Sequence, residues 1–170
     1  HVYNRGHRKQ PIFLQNRDYE RILDKIIKYK KKFSVNIIAF CLMPNHFHFL
    51  LQQNAPGSIS SFLSNLCNSH SRFYNTKYET VGSLFQGRFK AKRVDKDEYL
   101  IHLSRYIHLN PTDLFNFNNQ ELMTDYVLSY KWSSLPIFLS GKPSEIVDPS
   151  PILEYFSKEN PIADYQEFVI

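Results

Sequence analysis

The sequence predicts an α+β fold of the ferredoxin-like, or RRM-like, type: an antiparallel sheet with helices packed on it, plus a small, mostly helical C-terminal extension. Three observations predict it. Strand-like runs interleave with longer amphipathic stretches in the order strand, helix, strand, strand, helix, strand, helix. The 170 residues, 42% hydrophobic and 15% aromatic, supply one sizeable core with an addition to it. The charge is also divided, with 18 Lys and Arg against 7 Asp and Glu in residues 1–110, and 3 against 9 in residues 111–170. We therefore expect a domain over residues 1–112 and an extension over 113–170 that packs on it.

His1 to Arg5 alternates like a short strand and is closed by Gly6. From Asp18 to Phe33, Tyr19, Ile22, Leu23, Ile26, Ile27 and Phe33 recur at near-helical spacing with Arg and Lys on the other side, which predicts an amphipathic helix. Val35 to Met43 reads as a buried strand. Pro44-Asn45 breaks it, and His46 to Gln52 forms the next strand, which together predict a hairpin. After the Pro56-Gly57 loop, Ile59, Phe62, Leu63, Leu66, Phe73 and Tyr74 place a second helix over Ser58 to Tyr78. Leu84 to Val94 predicts an alternating basic strand with Arg88, Lys90 and Lys92 on one face. A third helix, capped by Asp95 or Asp97, runs through Tyr99, Leu103, Tyr106 and Ile107 to a stop at Pro111. The tail then suggests helices near Lys131–Leu139 and Pro151–Phe156.

Composition narrows the function. No run approaches the apolar length of a membrane span, and the two cysteines, Cys41 and Cys67, make no disulfide framework. A cytoplasmic, reducing setting without membrane contact is expected. A basic N-terminal part is what a binder of a phosphate backbone needs for steering and counterion release. All seven histidines also fall in that part, whereas the acidic tail carries little sign of chemistry.

Two constellations carry chemistry. In Met43-Pro44-Asn45-His46-Phe47-His48, the i, i+2 histidines point to one face of a strand, where two imidazoles can chelate a divalent metal. The same spacing describes two partly exposed histidines, and the pair alone does not choose. In Tyr106-Ile107-His108-Leu109-Asn110-Pro111, Tyr106 and Asn110 stack at i, i+4 on one helix face. A tyrosine attacking a phosphodiester leaves a covalent phosphotyrosine that conserves the bond for rejoining, and a neighbouring cation helps so weak a nucleophile. Equally, an aromatic at helical spacing before Asn-Pro describes a core contact and a helix stop.

Taken jointly with Asn4-Arg5-Gly6 and Phe85-Gln86-Gly87-Arg88-Phe89, these motifs resemble the single-tyrosine HUH transposases, in particular their REP-associated branch. The resemblance spans roughly residues 1 to 112. It implies a ferredoxin-like nuclease that binds single-stranded or hairpin DNA and cleaves it through a tyrosine, leaving a 5′-phosphotyrosine and a free 3′-hydroxyl. It makes Tyr106 the nucleophile and His46, His48 and Asn110 the metal ligands. Tyr99, seven residues earlier on nearly the same helix face, competes with Tyr106 but lacks the downstream Asn-Pro. Mg²⁺ or Mn²⁺ suits an amide oxygen and phosphoryl chemistry better than Zn²⁺ does. Relatives occur as dimers or monomers, and a homodimer is one expected assembly.

For DNA contact we single out Arg5, Gln86, Arg88, Lys90, Lys92, Arg93 and Arg105, with Phe85, Phe89 and Tyr74 as aromatic platforms whose default role is core packing. Two other classes compete. A non-catalytic RRM-like binding protein, or a decayed transposase, shares the fold and basic sheet, but the former has no use for two same-face histidines opposite a tyrosine. A metal-dependent hydrolase would need a carboxylate base, and the motifs hold Asn110 instead.

Overall fold

A computed structural model of the chain describes every residue from His1 to Ile170. Strand β1 (Val2–Arg5) passes through a 3₁₀ turn at His7–Lys9 to helix α1 (Asn16–Phe33). Strands β2 (Val35–Met43) and β3 (His46–Gln53) form the hairpin, and helix α2 (Ser58–Lys77), strand β4 (Lys90–Ala91) and helix α3 (Asp97–Leu109) follow. The four strands are antiparallel in the order β2-β3-β1-β4. This is the ferredoxin-like topology that the element order predicts.

Register decides what each face carries. Tyr3 lies opposite His48, Arg5 opposite His46, and Lys90 opposite Tyr3 across the other edge of β1. Because side chains alternate, His46, His48, Tyr3, Arg5 and Lys90 share one face, while Val2, Phe47 and Phe49 share the other. Helices α1 and α2 cover the apolar face, with Ile22, Ile26, Phe62 and Leu66 fully or almost fully buried there. The buried Asp18 ties these two helices together. Its carboxylate accepts from the backbone of Leu14 (2.8 Å) and Gln15 (3.0 Å) at the start of α1, and from Lys77 Nζ (2.6 Å) and Tyr78 Oη (2.7 Å) at the end of α2. Burial pushes this carboxyl up, but the four donors outweigh it and hold it below the usual range.

Helix α3 packs on the histidine-bearing face. The residues after it form α4 (Gln120–Ser129), α5 (Leu135–Ser140), α6 (Ser150–Leu153) and α7 (Pro161–Val169), so the extension is helical as expected. It does two structural jobs. The segment before α5 pairs along the outer edge of β2, with Leu42 N donating to Trp132 O and Ser134 N to Phe40 O, each at 2.9 Å. The ring of Trp132 also stacks on Tyr19 at 4.5 Å. Helix α7 docks against α3 through Tyr165, which is fully buried and donates to Ser104 Oγ (3.0 Å) beneath the buried His108.

Several local expectations need correction. The basic run from Leu84 to Val94 is strand only at Lys90–Ala91. Gly87 takes φ 131°, outside extended backbone, and the preceding loop is held instead by Gln86 N on Arg5 O (2.9 Å) and Asn4 Nδ2 on Gly87 O (3.1 Å). Asp97 is not a cap but the first residue of α3, where its charge favours the helix N-terminus. Pro111 ends α3 without ending helical turn, since Asn110–Leu114 continues as 3₁₀. Phe85 and Tyr74 are buried, so they pack the core and do not offer platforms for bases.

Candidate active site

The hairpin sets His46 and His48 on one face of β3, and α3 lays Tyr106 across from them, with Asn110 at the cap just past its end. The protonation of His46 follows from its neighbours. Asn45 Nδ2 donates to Lys9 O (3.3 Å), which turns Asn45 Oδ1 towards His46 Nδ1 at 2.7 Å. An amide oxygen only accepts, so Nδ1 carries the proton and Nε2 presents its lone pair. Asn110 is oriented in the same way, because its Nδ2 donates to Tyr106 O at 2.7 Å and its Oδ1 turns to His46 Nε2 at 3.4 Å. Two lone pairs therefore face each other.

Such a pair is repulsive unless a proton or a cation lies between. Burial disfavours the proton: it lowers the pKa of His46 despite partial compensation from Asn110 and Asp113. Burial, with the charge of His46 adding to it, pulls His48 down to about 3. Both imidazoles are thus neutral near pH 7, the state that ligates metal. The amide oxygen of Asn110, at 3.4 Å from His46 Nε2, is the candidate donor that stands beside the two imidazoles. Two imidazoles and an amide oxygen fit a divalent ion.

Tyr106 stands beside this donor set, its ring edge-on to His48 at 5.5 Å and 53% exposed. It lines a cleft of about 520 Å³ with Tyr3, His48, Lys92, Tyr99 and His102. Tyr99 shares the cleft, but its ring carries the Lys92 ammonium at 4.6 Å. Seven residues of α-helix separate the two tyrosines, roughly 10 Å along the axis, so Tyr99 lies over a full turn farther from Asn110 than Tyr106 does.

The basic residues are only partly gathered. Arg5, Gln86, Arg88 and Lys90 line one groove of about 210 Å³ with Tyr3 and Asn4, and Arg5 Nε donates to Gln86 Oε1. Lys92 lines both the tyrosine cleft and an adjoining one that holds Arg93 with Leu50 and Val94. Arg105 is drawn away: its Nε donates to Val169 O (3.2 Å) and its guanidinium lies over Phe168 at 5.6 Å. Sequence reasoning missed Tyr3 and His1, which stack with each other and lie beside His48, at 5.2–5.6 Å between ring centroids. The alternation His1, Tyr3, Arg5 in the first strand carried the signal, since it puts all three on one face.

A ferredoxin-like sheet bearing two histidines on one face, crossed by a helix with a tyrosine and an asparagine one turn apart, defines a single-tyrosine transposase of the HUH type. Residues 1–110 match the family described as "Transposase IS200 like", and the chain belongs to that family of DNA transposases. Among solved structures, it is similar to a REP-associated tyrosine transposase bound to a REP hairpin, at a TM-score of 0.60 and 18% identity, over 86% of this chain and 85% of that one. No curated protein matches the sequence. No helix is long and apolar enough to cross a membrane.

Proposed function

We propose that the chain cleaves single-stranded, hairpin-bearing DNA and transfers the strand through Tyr106, with His46, His48 and Asn110 holding Mg²⁺ or Mn²⁺. The observation that carries this reading is the opposed lone pairs of His46 Nε2 and Asn110 Oδ1 at 3.4 Å, beside an exposed tyrosine on the helix that Asn110 caps. The bound ion would supply charge neutralisation on the scissile phosphate.

The chain's own residues do the rest. Tyr106 Oη forms the bond to phosphorus, the bond to the 3′ oxygen breaks, and the phenol's proton passes through solvent to the leaving 3′-hydroxyl. The 5′ side then remains attached as a phosphotyrosine, which a later 3′-hydroxyl can attack in reverse. Arg5, Arg88 and Lys90 would hold the backbone of the strand entering the cleft, with Gln86 fixing the Arg5 side chain, and Lys92 would meet a phosphate inside it. Tyr3, between groove and cleft, would support a base by stacking. The hairpin in the similar structure motivates the choice of a structured single strand as substrate.

The test is a denaturing gel of the protein with end-labelled hairpin DNA, in Mn²⁺ or in EDTA. We expect a covalent adduct in Mn²⁺ alone, and none from His46→Ala in either. An adduct of equal yield in EDTA would refute the metal assignment; tight hairpin binding with no adduct under any condition would favour a DNA-binding, non-cleaving protein. Changing Arg88 and Lys90 together to Ala should weaken hairpin binding and lower the slope of log K against log salt by about 1 for each phosphate no longer neutralised. An unchanged slope, read by fluorescence anisotropy over a salt series, would remove the groove from the interface.

A further inference from the structure

We propose that His1 is a positioning residue that sets the tautomer of His48. The inference rests on the metal-site reading above. His1 Nε2 lies 2.9 Å from His48 Nδ1, within hydrogen-bond distance. The backbone of His1 is held on Lys92, the residue after β4, by a reciprocal pair of bonds, His1 N to Lys92 O and Lys92 N to His1 O, both 2.8 Å, which continue the register of Val2 with Ala91. Its ring is stacked on Tyr3 at 29° and lies within 15° of the plane of His48, as an in-plane ring bond requires, with the edge of Tyr106 beyond at 6.3 Å. Position and ring plane are therefore both set by neighbours.

Only one proton fits between two imidazole nitrogens at that distance, and its owner decides the chemistry. When His1 donates, His48 must carry its proton on Nε2 and has no lone pair there to offer. When His48 donates from Nδ1, its Nε2 is bare and His1 keeps its own proton on Nδ1. His1 thus does for His48 what Asn45 does for His46: each gives Nδ1–H an acceptor and leaves Nε2 for the ion. Asn45 can only accept, whereas His1 can do either. The His48 side of the site is consequently the one whose readiness depends on its partner. Partners of this kind, one bond behind the ligand, typically change metal affinity 10–100-fold when removed.

The experiment is Mn²⁺ binding by calorimetry on the DNA-free full chain, comparing wild type, His1→Phe, His1→Gln and His46→Ala. Phe keeps a ring for stacking and deletes the acceptor, and we expect Mn²⁺ affinity to fall 10–100-fold with hairpin binding in EDTA unchanged. The Gln side-chain oxygen can accept from His48 Nδ1, and we expect His1→Gln to recover most of the loss, which a merely structural role would not produce. Mn²⁺ affinity in His1→Phe within twofold of wild type, alongside its loss in His46→Ala, would overturn this inference and leave the metal site standing. Equal loss in Phe and Gln variants would also overturn it. Unaltered Mn²⁺ binding in His46→Ala would overturn both.

Discussion

Tyr106→Phe is expected to abolish covalent capture of DNA, by about 10⁴-fold or more, while hairpin affinity stays within a factor of two. The two effects separate because the lost atom is only the phenol oxygen. The ring keeps its edge-on packing against His48 at 5.5 Å, and the side chain is half exposed, so neither the donor set nor the core is disturbed. The basic groove of Arg5, Arg88 and Lys90 is built from β1, β4 and the preceding loop, not from α3. Capture gels and anisotropy on the same protein sample read the two quantities. Tyr99→Phe is the matched control and is expected to retain capture, because Tyr99 is remote from Asn110 and covered by Lys92. Capture surviving Tyr106→Phe and vanishing with Tyr99→Phe would move the nucleophile.

Acidification is expected to destabilise the protein before most of its carboxylates titrate. His70 and His108 are both fully buried, and burial pushes their pKa values down to about 4 and about 3. The packing gives the reason. His70 Nε2 donates to Ile12 O at 2.7 Å, while its buried Nδ1, among Phe13, Phe73 and Phe85, has no partner to receive a second proton's bond. His108 is boxed between Tyr165 Oη and Ser134 Oγ, each at 2.7 Å.

In the unfolded chain both rings take up protons below about pH 6.5. The folded chain refuses those protons until about 4 or 3, so stability falls as pH falls through that window. On the order of 3 kcal/mol from each histidine is at stake by the bottom of it. Urea denaturation between pH 7.5 and 4.5 reads this directly, and a midpoint independent of pH would contradict it. Asp18 works in a later window. Its carboxyl is held low, so its contribution persists above the ordinary carboxylate range and is lost only as pH drops through the depressed value.

The hairpin strands and the pairing of the candidate residues were legible because they obey short periods. Val35–Met43 and His46–Gln53 differ by at most a residue from the runs read in the sequence, and the Pro44-Asn45 break is the hairpin turn. His46 with His48, and Tyr106 with Asn110, are pairs at strand and helix repeats, so their shared faces followed from spacing alone. What was hidden depends on partners distant in sequence. The 84–94 run alternates like a strand, yet Gly87 and the pull of Asn4 and Arg5 make most of it a loop. Arg105 sits beside the tyrosine in sequence but turns to Val169, 64 residues away. Helices α4 and α7 were unanticipated because their apolar faces are narrow. Only Val127 in α4, and Tyr165 and Val169 in α7, are buried.

The strip of chain around Trp132 and Ser134 has a consequence for self-association. A β-sheet offers another molecule two rims of unspent backbone groups, and here one rim is spent on the protein's own tail. The opposite rim is a two-residue strand of exposed Lys90 and Ala91, too short and too positively charged to zip onto a copy of itself. Two copies of this chain thus lack the two long, free rims that would join into one continuous sheet.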